Sequence, residues 1–197
     1  MLIELRKKLD EAITYGKLDS AREIAQSGFR NACIQELPGE IEYFKGQIEI
    51  LNENFPRAIE HFDKAIKYNP RDGASFNDRA LCMIEMGIID DAFWYFDKGI
   101  EAEPDYATIY HNKGWLLNKI GRHGEAVECF VKAIKIEPGR AVTYENLADV
   151  YINTEDYALA LKAYQKALAL LGPKYQDISD QIACRIKKVQ ARLGNSE

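Results

Sequence analysis

Histidines and cysteines are the side chains of this 197-residue protein best suited to metal binding or catalysis, and their spacing favours neither. His61, His111 and His123 form no His-x-x-x-His pair, and no cluster of cysteine or aspartate accompanies them. A metal site needs such a convergent set. The four cysteines contain no Cys-x-x-Cys pair; they are Cys33, Cys82, Cys129 and Cys184. We therefore expect no metal and no other cofactor, and we expect reduced thiols that are buried or half-buried.

The serines, glycines and carboxylates of the sequence also form no pattern that indicates a catalytic site. No serine lies in a Gly-x-Ser-x-Gly turn, and no glycine-rich loop could hold a phosphate. Acidic pairs such as Asp90-Asp91 and Glu155-Asp156 stand where helices are predicted to begin. There a carboxylate caps free N–H groups and meets the positive end of the helix dipole. The sequence predicts that the protein is not an enzyme.

A pattern with a period of 34 residues organises the chain from Gly39 to Lys174. In one copy, Ala126, Phe130 and Ala133 fall at i, i+4 and i+7, which makes one stripe on a helix. Each copy therefore predicts two helices with a turn between them, and such hairpins must stack to bury their stripes. The recurring positions are Gly46, Ala80, Gly114 and Ala148; Phe62, Phe96, Phe130 and Tyr164; and Pro70, Pro104 and Pro138. We expect each aromatic ring to pack closely against a small residue.

The third copy carries a recognisable series of residues, which are Tyr110, Gly114, Ala126, Phe130, Ala133 and Pro138. This series resembles the tetratricopeptide repeat (TPR) family, and the resemblance extends over roughly four-fifths of the chain. It implies an all-α fold, a right-handed TPR helix-turn-helix solenoid with a C-terminal capping helix. It implies little about chemistry.

We predict a single TPR solenoid over residues 1–197. Its parts are a degenerate repeat at 2–35, full repeats at 39–72, 73–106, 107–140 and 141–174, and a capping helix at 175–193. Gly16 and Gly87 stand 71 residues apart rather than 68, which predicts about three extra residues near 35–38. The apolar side chains of the last segment step at helical spacing and should cover the final repeat. The basic side chains expected outside are Arg6, Lys7 and Lys8 at the start, and Arg185, Lys187, Lys188 and Arg192 at the end.

Composition limits the class of partner. The chain is 47% hydrophobic and 29% charged, which is ample for an ordered core. Its net charge is −5, and residues 31–173 carry 15 basic against 23 acidic side chains. An acidic array repels phosphate backbones, so we expect no nucleic-acid partner and a basic or polar peptide instead. No apolar run is long enough to cross a bilayer and the first residues form no signal peptide, so we expect no membrane insertion and a cytoplasmic location.

The family resemblance implies a concave groove lined by the first helix of each repeat. The implied partner-binding residues are Tyr43, Phe44, Gln47, Asn77, Asp78, Leu81, His111, Asn112, Trp115, Asn118, Glu145, Asn146 and Asp149. Asn77, Asn112 and Asn146 recur about once per repeat, and amides can pair with the backbone of an extended peptide. Trp115 belongs to a residue type that dominates interface energetics. The alternatives are that Asn112 bonds to a neighbouring helix and that Trp115 is buried by packing between repeats.

TPR co-chaperones that hold C-terminal carboxylates use basic residues four apart in a first helix, together with asparagines. The first helices of the full repeats here offer only Lys45, Arg79, Lys113 and Lys119, with no basic pair at that spacing. Asp78, Glu145 and Asp149 would repel a carboxylate. We expect this clamp to be absent. The favoured function is a scaffold or adaptor that binds a peptide or protein segment; the alternatives are a unit that self-assembles through its terminal repeats or capping helix, and a dedicated chaperone.

Overall fold

Apolar stripes separated by turn residues produce helices along the chain. The structure is a computed structural model that describes residues 1–194, and no β-strand occurs among them. The helices of this described part are α1 (Leu2–Thr14), α2 (Leu18–Ile34), α3 (Pro38–Leu51), α4 (Phe55–Tyr68), α5 (Gly73–Glu85), α6 (Ile89–Ala102), α7 (Ala107–Lys119), α8 (His123–Ile136), α9 (Ala141–Asn153), α10 (Tyr157–Leu170) and α11 (Gln176–Gly194). A short 3₁₀ turn, Pro173–Tyr175, precedes α11. The all-α prediction is confirmed.

Consecutive helices pack as hairpins within two compact units, Met1–Pro104 and a second unit that begins at Asp105. In the first unit the hairpins are α1/α2, α3/α4 and α5/α6, and α2 packs on α3 while α4 packs on α5. In the second unit the hairpins are α7/α8 and α9/α10, with α8 on α9 and α10 on α11. Each hairpin thus completes its core with a neighbour, as repeat architectures require.

Close contacts between small residues and aromatic rings build this core. A Cβ added to Gly46 would lie 2.6 Å from the ring of Phe62, and one added to Gly114 would lie 3.2 Å from the ring of Phe130. Both rings are fully buried. The predicted pairing of small and aromatic positions is confirmed at these two sites. Gly28 and the ring of Phe44 form a similar contact between α2 and α3.

The three-residue turn inside each full hairpin has a left-handed residue at its middle position. Gly87 (φ 78°) and Gly121 (φ 82°) hold this position, and Glu53 (φ 58°) and Glu155 (φ 63°) hold it one period away. The N–H of each bonds the carbonyl three residues earlier, and the next N–H bonds the carbonyl five residues before it, at 2.8–3.1 Å. This is the Schellman motif, which satisfies the last carbonyls of a helix. Helix α2 departs from the pattern: it has 17 residues where α4, α6, α8 and α10 each have 14.

The start of the helices differs in one respect from the expectation. Asp90 and Asp91 lie in the first turn of α6, where they meet its dipole, but the N-cap position belongs to Ile88 and receives no side-chain cap bond. Asp156 is the N-cap residue of α10, yet its carboxylate accepts a bond from Thr154 rather than capping the helix. The dipole interpretation therefore holds, whereas the capping bonds are not formed.

Helix α11 covers the last hairpin. Ile182 and Val189 are buried in one cluster with small residues of α9 and α10 and with Tyr164. Ile178, Ile186 and Leu193 pack against the same cluster. The apolar stripe of this helix therefore seals a surface that α9 and α10 would otherwise expose to water, as predicted for a capping helix.

Candidate protein-binding face

Helices α7 and α9 of the second unit hold seven of the predicted partner-binding residues. Six of them are neither buried nor fully exposed: Asn112, Trp115, Asn118, Glu145, Asn146 and Asp149. The core positions of α7 are filled instead by Ile109, Leu116 and Leu117. We call these six residues the α7/α9 face. Its polar and aromatic side chains are therefore additional to the apolar core of this unit.

Trp115 lies half-buried on α7 with a cation near its ring. The Nζ of Lys119, one helical turn later, stands 4.9 Å from the ring centroid. At this distance an ammonium group is attracted to the face of an indole. Since the ring is only partly covered, it can still contribute apolar contact area to a bound peptide.

Amides of the α7/α9 face also hold neighbouring elements together. The Oδ1 of Asn118 accepts a bond from Nδ2 of Asn153 at 3.0 Å, and it lies 2.8 Å from Nδ1 of His123. Asn118 thus joins the ends of α7 and α9 to the start of α8. Part of its hydrogen-bonding capacity is committed inside the unit.

His111, the seventh predicted residue, is buried rather than presented to a ligand. Its Nε2 lies 3.2 Å from the amide nitrogen of Asn146, and its Nδ1 lies 3.1 Å from Oγ1 of Thr143. An amide nitrogen can only donate, so this network assigns an accepting Nε2 and a protonated Nδ1. Burial, with the cation of Arg140 nearby, lowers the pKa of His111 to about 3. His111 is a neutral link between α7 and α9, and Asn146 serves that link.

Two carboxylates of α9 share one guanidinium from α11. Nη1 of Arg185 lies 3.3 Å from Oε1 of Glu145 and 3.1 Å from Oδ1 of Asp149. Tyr164 also donates its hydroxyl proton to Asp149. Burial raises the pKa of Glu145; the cation of Arg185 opposes the shift and Asp149 adds to it. Arg185 stays partly exposed, as expected, but its guanidinium also contacts the paired carboxylates of α9, which the expectation did not include.

The sequence contained a signal for this contact. Arg185 stands three residues after Ile182 and four before Val189, which puts it beside the buried stripe of α11. Lys187 and Lys188 lie away from that stripe and are exposed. A basic residue at the edge of an apolar stripe reaches the neighbouring helix, whereas one on the far side remains in water.

In the first unit, most of the predicted partner-binding residues are buried. Phe44 is fully covered, Tyr43, Gln47, Asn77 and Asp78 are 9% exposed or less, and Leu81 is half-buried. Gln47 donates its amide to Oδ2 of Asp78, and Asn77 donates to Oδ1 at 2.8 Å. These bonds favour the carboxylate, but burial outweighs them and raises the pKa of Asp78 to about 7. Here polar side chains satisfy one another inside the unit.

Arg6 explains part of this burial. Its guanidinium makes two parallel bonds to Asp72, at 2.8 and 3.0 Å, and a third to Glu40 at 3.0 Å. It also stacks 3.6 Å from the ring centroid of Tyr43. The expected solvated face is therefore wrong for Arg6, although Lys7 and Lys8 are exposed. No periodic signal in the sequence indicated this contact, because Arg6 belongs to the degenerate first hairpin.

Other candidate chemistry is limited. All four cysteines are free; Cys82 is buried and Cys129 half-buried, while Cys33 and Cys184 are exposed, so burial was wrongly expected for those two. Within residues 1–194, no group of three or more histidine, cysteine or acidic side chains could hold a metal ion. None of the helices in the same part of the chain combines the length and apolarity needed to cross a membrane.

Comparison with solved structures supports the repeat fold. TTC0263 from Thermus thermophilus has a TM-score of 0.73 at 16% identity, with 97% of this chain and 100% of that one covered. YrrB, described as a TPR protein with an unusual peptide-binding site, has a TM-score of 0.60 at 19% identity, with 95% and 92% covered. MamA from Desulfovibrio magneticus RS-1 has a TM-score of 0.58 at 17% identity, with 86% and 94% covered. At these identities the likeness establishes the fold alone.

Sequence comparison identifies the repeats themselves. A curated relative, Hsp70-Hsp90 organizing protein 3 from Arabidopsis thaliana, is 27% identical over 78 residues, which is 40% of this chain. The matched segment spans only 14% of the length of that relative. Tetratricopeptide repeat models match residues 45–107, 107–140 and 141–172, well over half of the chain. Together with the helical hairpins and their small-to-aromatic contacts, these matches show that the chain belongs to the tetratricopeptide repeat family.

Proposed function

We propose that this protein is a non-catalytic scaffold that binds a peptide or protein segment through the α7/α9 face. The observation that carries the proposal is that this face keeps amide, carboxylate and indole groups half-exposed while other residues fill the core. Amides offer both donors and acceptors to a peptide backbone, and a half-exposed tryptophan is a strong anchor. The acidic side chains favour a basic segment.

The named relatives agree with this proposal in kind. A protein that organises two chaperones and a TPR protein with a peptide-binding site both have names that describe binding to other proteins. The charge of the α7/α9 face bears on the chemistry of the partner. We propose that it is not a C-terminal carboxylate, because Glu145 and Asp149 give the α7/α9 face negative charge.

The test uses Trp115 and a matched control. Partners captured from the source organism by the full chain are identified first, and one is then titrated against wild type, Trp115→Ala and Val131→Ala. Val131 is 52% exposed on α8, a helix that contributes no residue to the proposed face. Trp115→Ala should weaken binding about tenfold or more, and Val131→Ala should not. Equal affinities for all three proteins would contradict the proposal. Thermal melting of each variant controls for folding.

A second variant on the α7/α9 face should avoid the asparagine that supports buried His111. Asn146 is unsuitable as a neutral probe of the proposed face, because its removal leaves Nε2 of buried His111 without this donor. An unsatisfied buried group costs about 1–3 kcal/mol of stability. Asn112 is half-buried on α7 and also interacts within the chain, so Asn112→Ala is the second variant beside Trp115→Ala and its thermal melting is compared with that of the wild type.

Self-assembly is the second candidate function. The observation in its favour is that Met1, Ile3 and Ile34 of the first hairpin are 73–79% exposed. Where such side chains form a contiguous patch, they mark a surface that associates. If the chain self-assembles, light scattering over a concentration series should give a mass above that of the monomer for the wild type. The Ile3→Lys, Ile34→Lys double variant should have a lower mass. A constant monomer mass for the wild type would contradict it. A dedicated chaperone would use the α7/α9 face and differs from the scaffold only in its partner.

A further inference from the structure

Arg185 of α11 contacts two of the side chains that we propose bind a partner. We propose that Arg185 is an intramolecular competitor, whose guanidinium occupies the Glu145 and Asp149 carboxylates until an arginine of the partner displaces it. The inference rests on the proposed function, because it assumes that the α7/α9 face is where a partner binds. It adds a specific recognition element, arginine, and a contact that opposes binding.

The Glu145 and Asp149 carboxylates are placed so that one guanidinium reaches both. Glu145 and Asp149 stand one helical turn apart on α9, and Nη1 of Arg185 lies within 3.1–3.3 Å of oxygens from both. The hydroxyl of Tyr164 donates to Oδ1 of Asp149, the same oxygen that accepts a bond from Nη1 of Arg185. Carboxylates placed in this way suit a planar guanidinium, which offers several donors in one plane. The fold therefore shows a guanidinium bound at this position, supplied by the chain itself.

The local charge at these carboxylates also favours a cationic partner. Two carboxylates face one cation, so the group keeps a net negative charge when both acids are ionised. A guanidinium from a partner would therefore enter a favourable potential even while Arg185 remains nearby. An anionic segment would be repelled. This charge balance matches the partner chemistry proposed for the α7/α9 face.

Arg185 can leave the two carboxylates while α11 stays folded. The side chains of Arg185 and Asp149 are 42% and 38% exposed, whereas that of Glu145 is 18% exposed, so solvent screens the contact with Asp149 more than the contact with Glu145. The helix is anchored by Ile182 and Val189, which are 1% and 3% exposed. Exposed ion pairs are weak and their side chains rotate readily. Displacement therefore needs a change of rotamer at one residue rather than movement of the capping helix.

Arg6 provides an internal contrast. It also reaches carboxylates outside its own helix, but its side chain is 17% exposed, that of Asp72 is 6% exposed, and the Arg6–Asp72 pair is bidentate. Breaking such a pair leaves an uncompensated buried charge, which is strongly destabilising. Arg6 is therefore a structural clamp, whereas Arg185 has the exposure that exchange requires.

The experiment compares Arg185→Ala with Lys188→Ala in the full chain. Both substitutions remove one positive charge from α11, but Lys188 is exposed and away from the apolar stripe. The probe is a fluorescein-labelled Gly-Ser-Arg-Gly-Ser peptide, followed by fluorescence anisotropy; a citrulline peptide is its neutral counterpart. Arg185→Ala should bind the arginine peptide about fivefold more tightly than wild type or Lys188→Ala. The citrulline peptide should show no such gain.

Two further variants make the result specific. Adding Glu145→Gln and Asp149→Asn to Arg185→Ala should abolish the gain, because both carboxylates that Arg185 releases are then missing. Arg185→Gln keeps the aliphatic stem of the side chain, so it should reproduce the gain if Arg185→Ala proves less stable. An affinity equal to that of Lys188→Ala in both Arg185 variants would overturn the proposal, as would an equal gain for the citrulline peptide.

The outcome can be separated from that of the proposed function. If Arg185→Ala gains affinity for the arginine peptide but Trp115→Ala retains the captured partner, exchange of guanidinium groups at the two carboxylates is supported and the α7/α9 face is wrong as the site of that partner. If Trp115→Ala loses the partner and Arg185→Ala gains nothing, the face is supported and the competition is wrong.

Discussion

At the scale of single residues, Asp78 shows how burial can override hydrogen bonding. Gln47 and Asn77 both donate to its carboxylate, yet burial raises its pKa to about 7. The folded protein therefore keeps a proton on Asp78 in a range of pH where the unfolded chain, with an ordinary value near 3.8, has released it. The stability that this proton supports is complete below about pH 4 and is lost as the pH rises through about 7.

Asp78→Asn should remove this dependence. The wild type should lose on the order of 1–3 kcal/mol in the free energy of unfolding between pH 5 and pH 8 through this group, and the variant should lose much less. Urea denaturation at both values of pH measures the difference. The control is Asp90→Asn, since Asp90 is exposed in the first turn of α6. Parallel pH profiles for the wild type and Asp78→Asn would show that Asp78 does not carry the effect.

At the scale of helices and turns, the left-handed position at 53, 87, 121 and 155 makes the hairpins comparable. Glycine accepts this conformation without steric cost, whereas a residue with a Cβ is strained there. Glu53 and Glu155 carry that strain, and Gly87 and Gly121 avoid it. An atom added at Gly87 or Gly121 would meet nothing within 4 Å, so these positions isolate the backbone effect from packing.

Glu155→Gly should stabilise the protein by about 0.5–1 kcal/mol, because relief of the strain exceeds the added entropy of the unfolded chain. Thermal melting and urea denaturation would measure it. Gly121→Ala is the converse change and should destabilise by a similar amount. The two substitutions should therefore move the melting temperature in opposite directions; a shift in the same direction would show that contacts other than backbone conformation dominate at this turn.

The elements also show what a sequence can predict. The period of 34 places Phe62 over Gly46 and Phe130 over Gly114, because every repeat applies the same spacing to the same packing problem. The three extra residues were expected near the end of the first hairpin, but they lengthen α2 by most of a turn instead of its loop. A residue added to a helix and a residue added to a loop shift the next repeat by the same number of positions. The period of the sequence therefore cannot tell which of the two has been lengthened.

The candidate site was less predictable than the fold. Family resemblance named Gln47, Asn77 and His111 as groove residues, and the structure buries all three in polar networks. Periodicity reports which helix face is apolar, but it does not report whether a polar side chain on that face finds a partner on the next helix. That depends on pairs such as His111 with Thr143, which are specific to one copy.

At the scale of the whole molecule, repeat proteins concentrate the effect of a mutation near its site, since each hairpin leans on its neighbours. Phe130 is fully buried, packs near Gly114 and meets the ring of His111 edge-on. Phe130→Ala should therefore destabilise the chain by about 3–5 kcal/mol through the cavity it leaves. Hydrogen exchange should rise in α7–α10 and stay near wild type in α1–α4.

Val131→Ala is the matched control for Phe130→Ala. Val131→Ala changes the neighbouring exposed residue and should leave both stability and exchange nearly unchanged. Melting of Phe130→Ala close to that of the wild type would contradict the assignment of Phe130 to the core. An equal rise of exchange in α1–α4 would contradict the confinement of the damage to nearby hairpins.

The Arg6 clamp bears on how the first hairpin opens. Chain ends ordinarily fray first and alone, because they give up the fewest contacts. Here Arg6 of α1 holds Asp72, the residue that precedes α5, and passes over Tyr43 of α3 on the way. Peeling α1 away would strand a buried carboxylate two hairpins further along. Helix α1 is therefore held in place by contacts with residues outside its own hairpin, and its release is coupled to loosening at the start of α5.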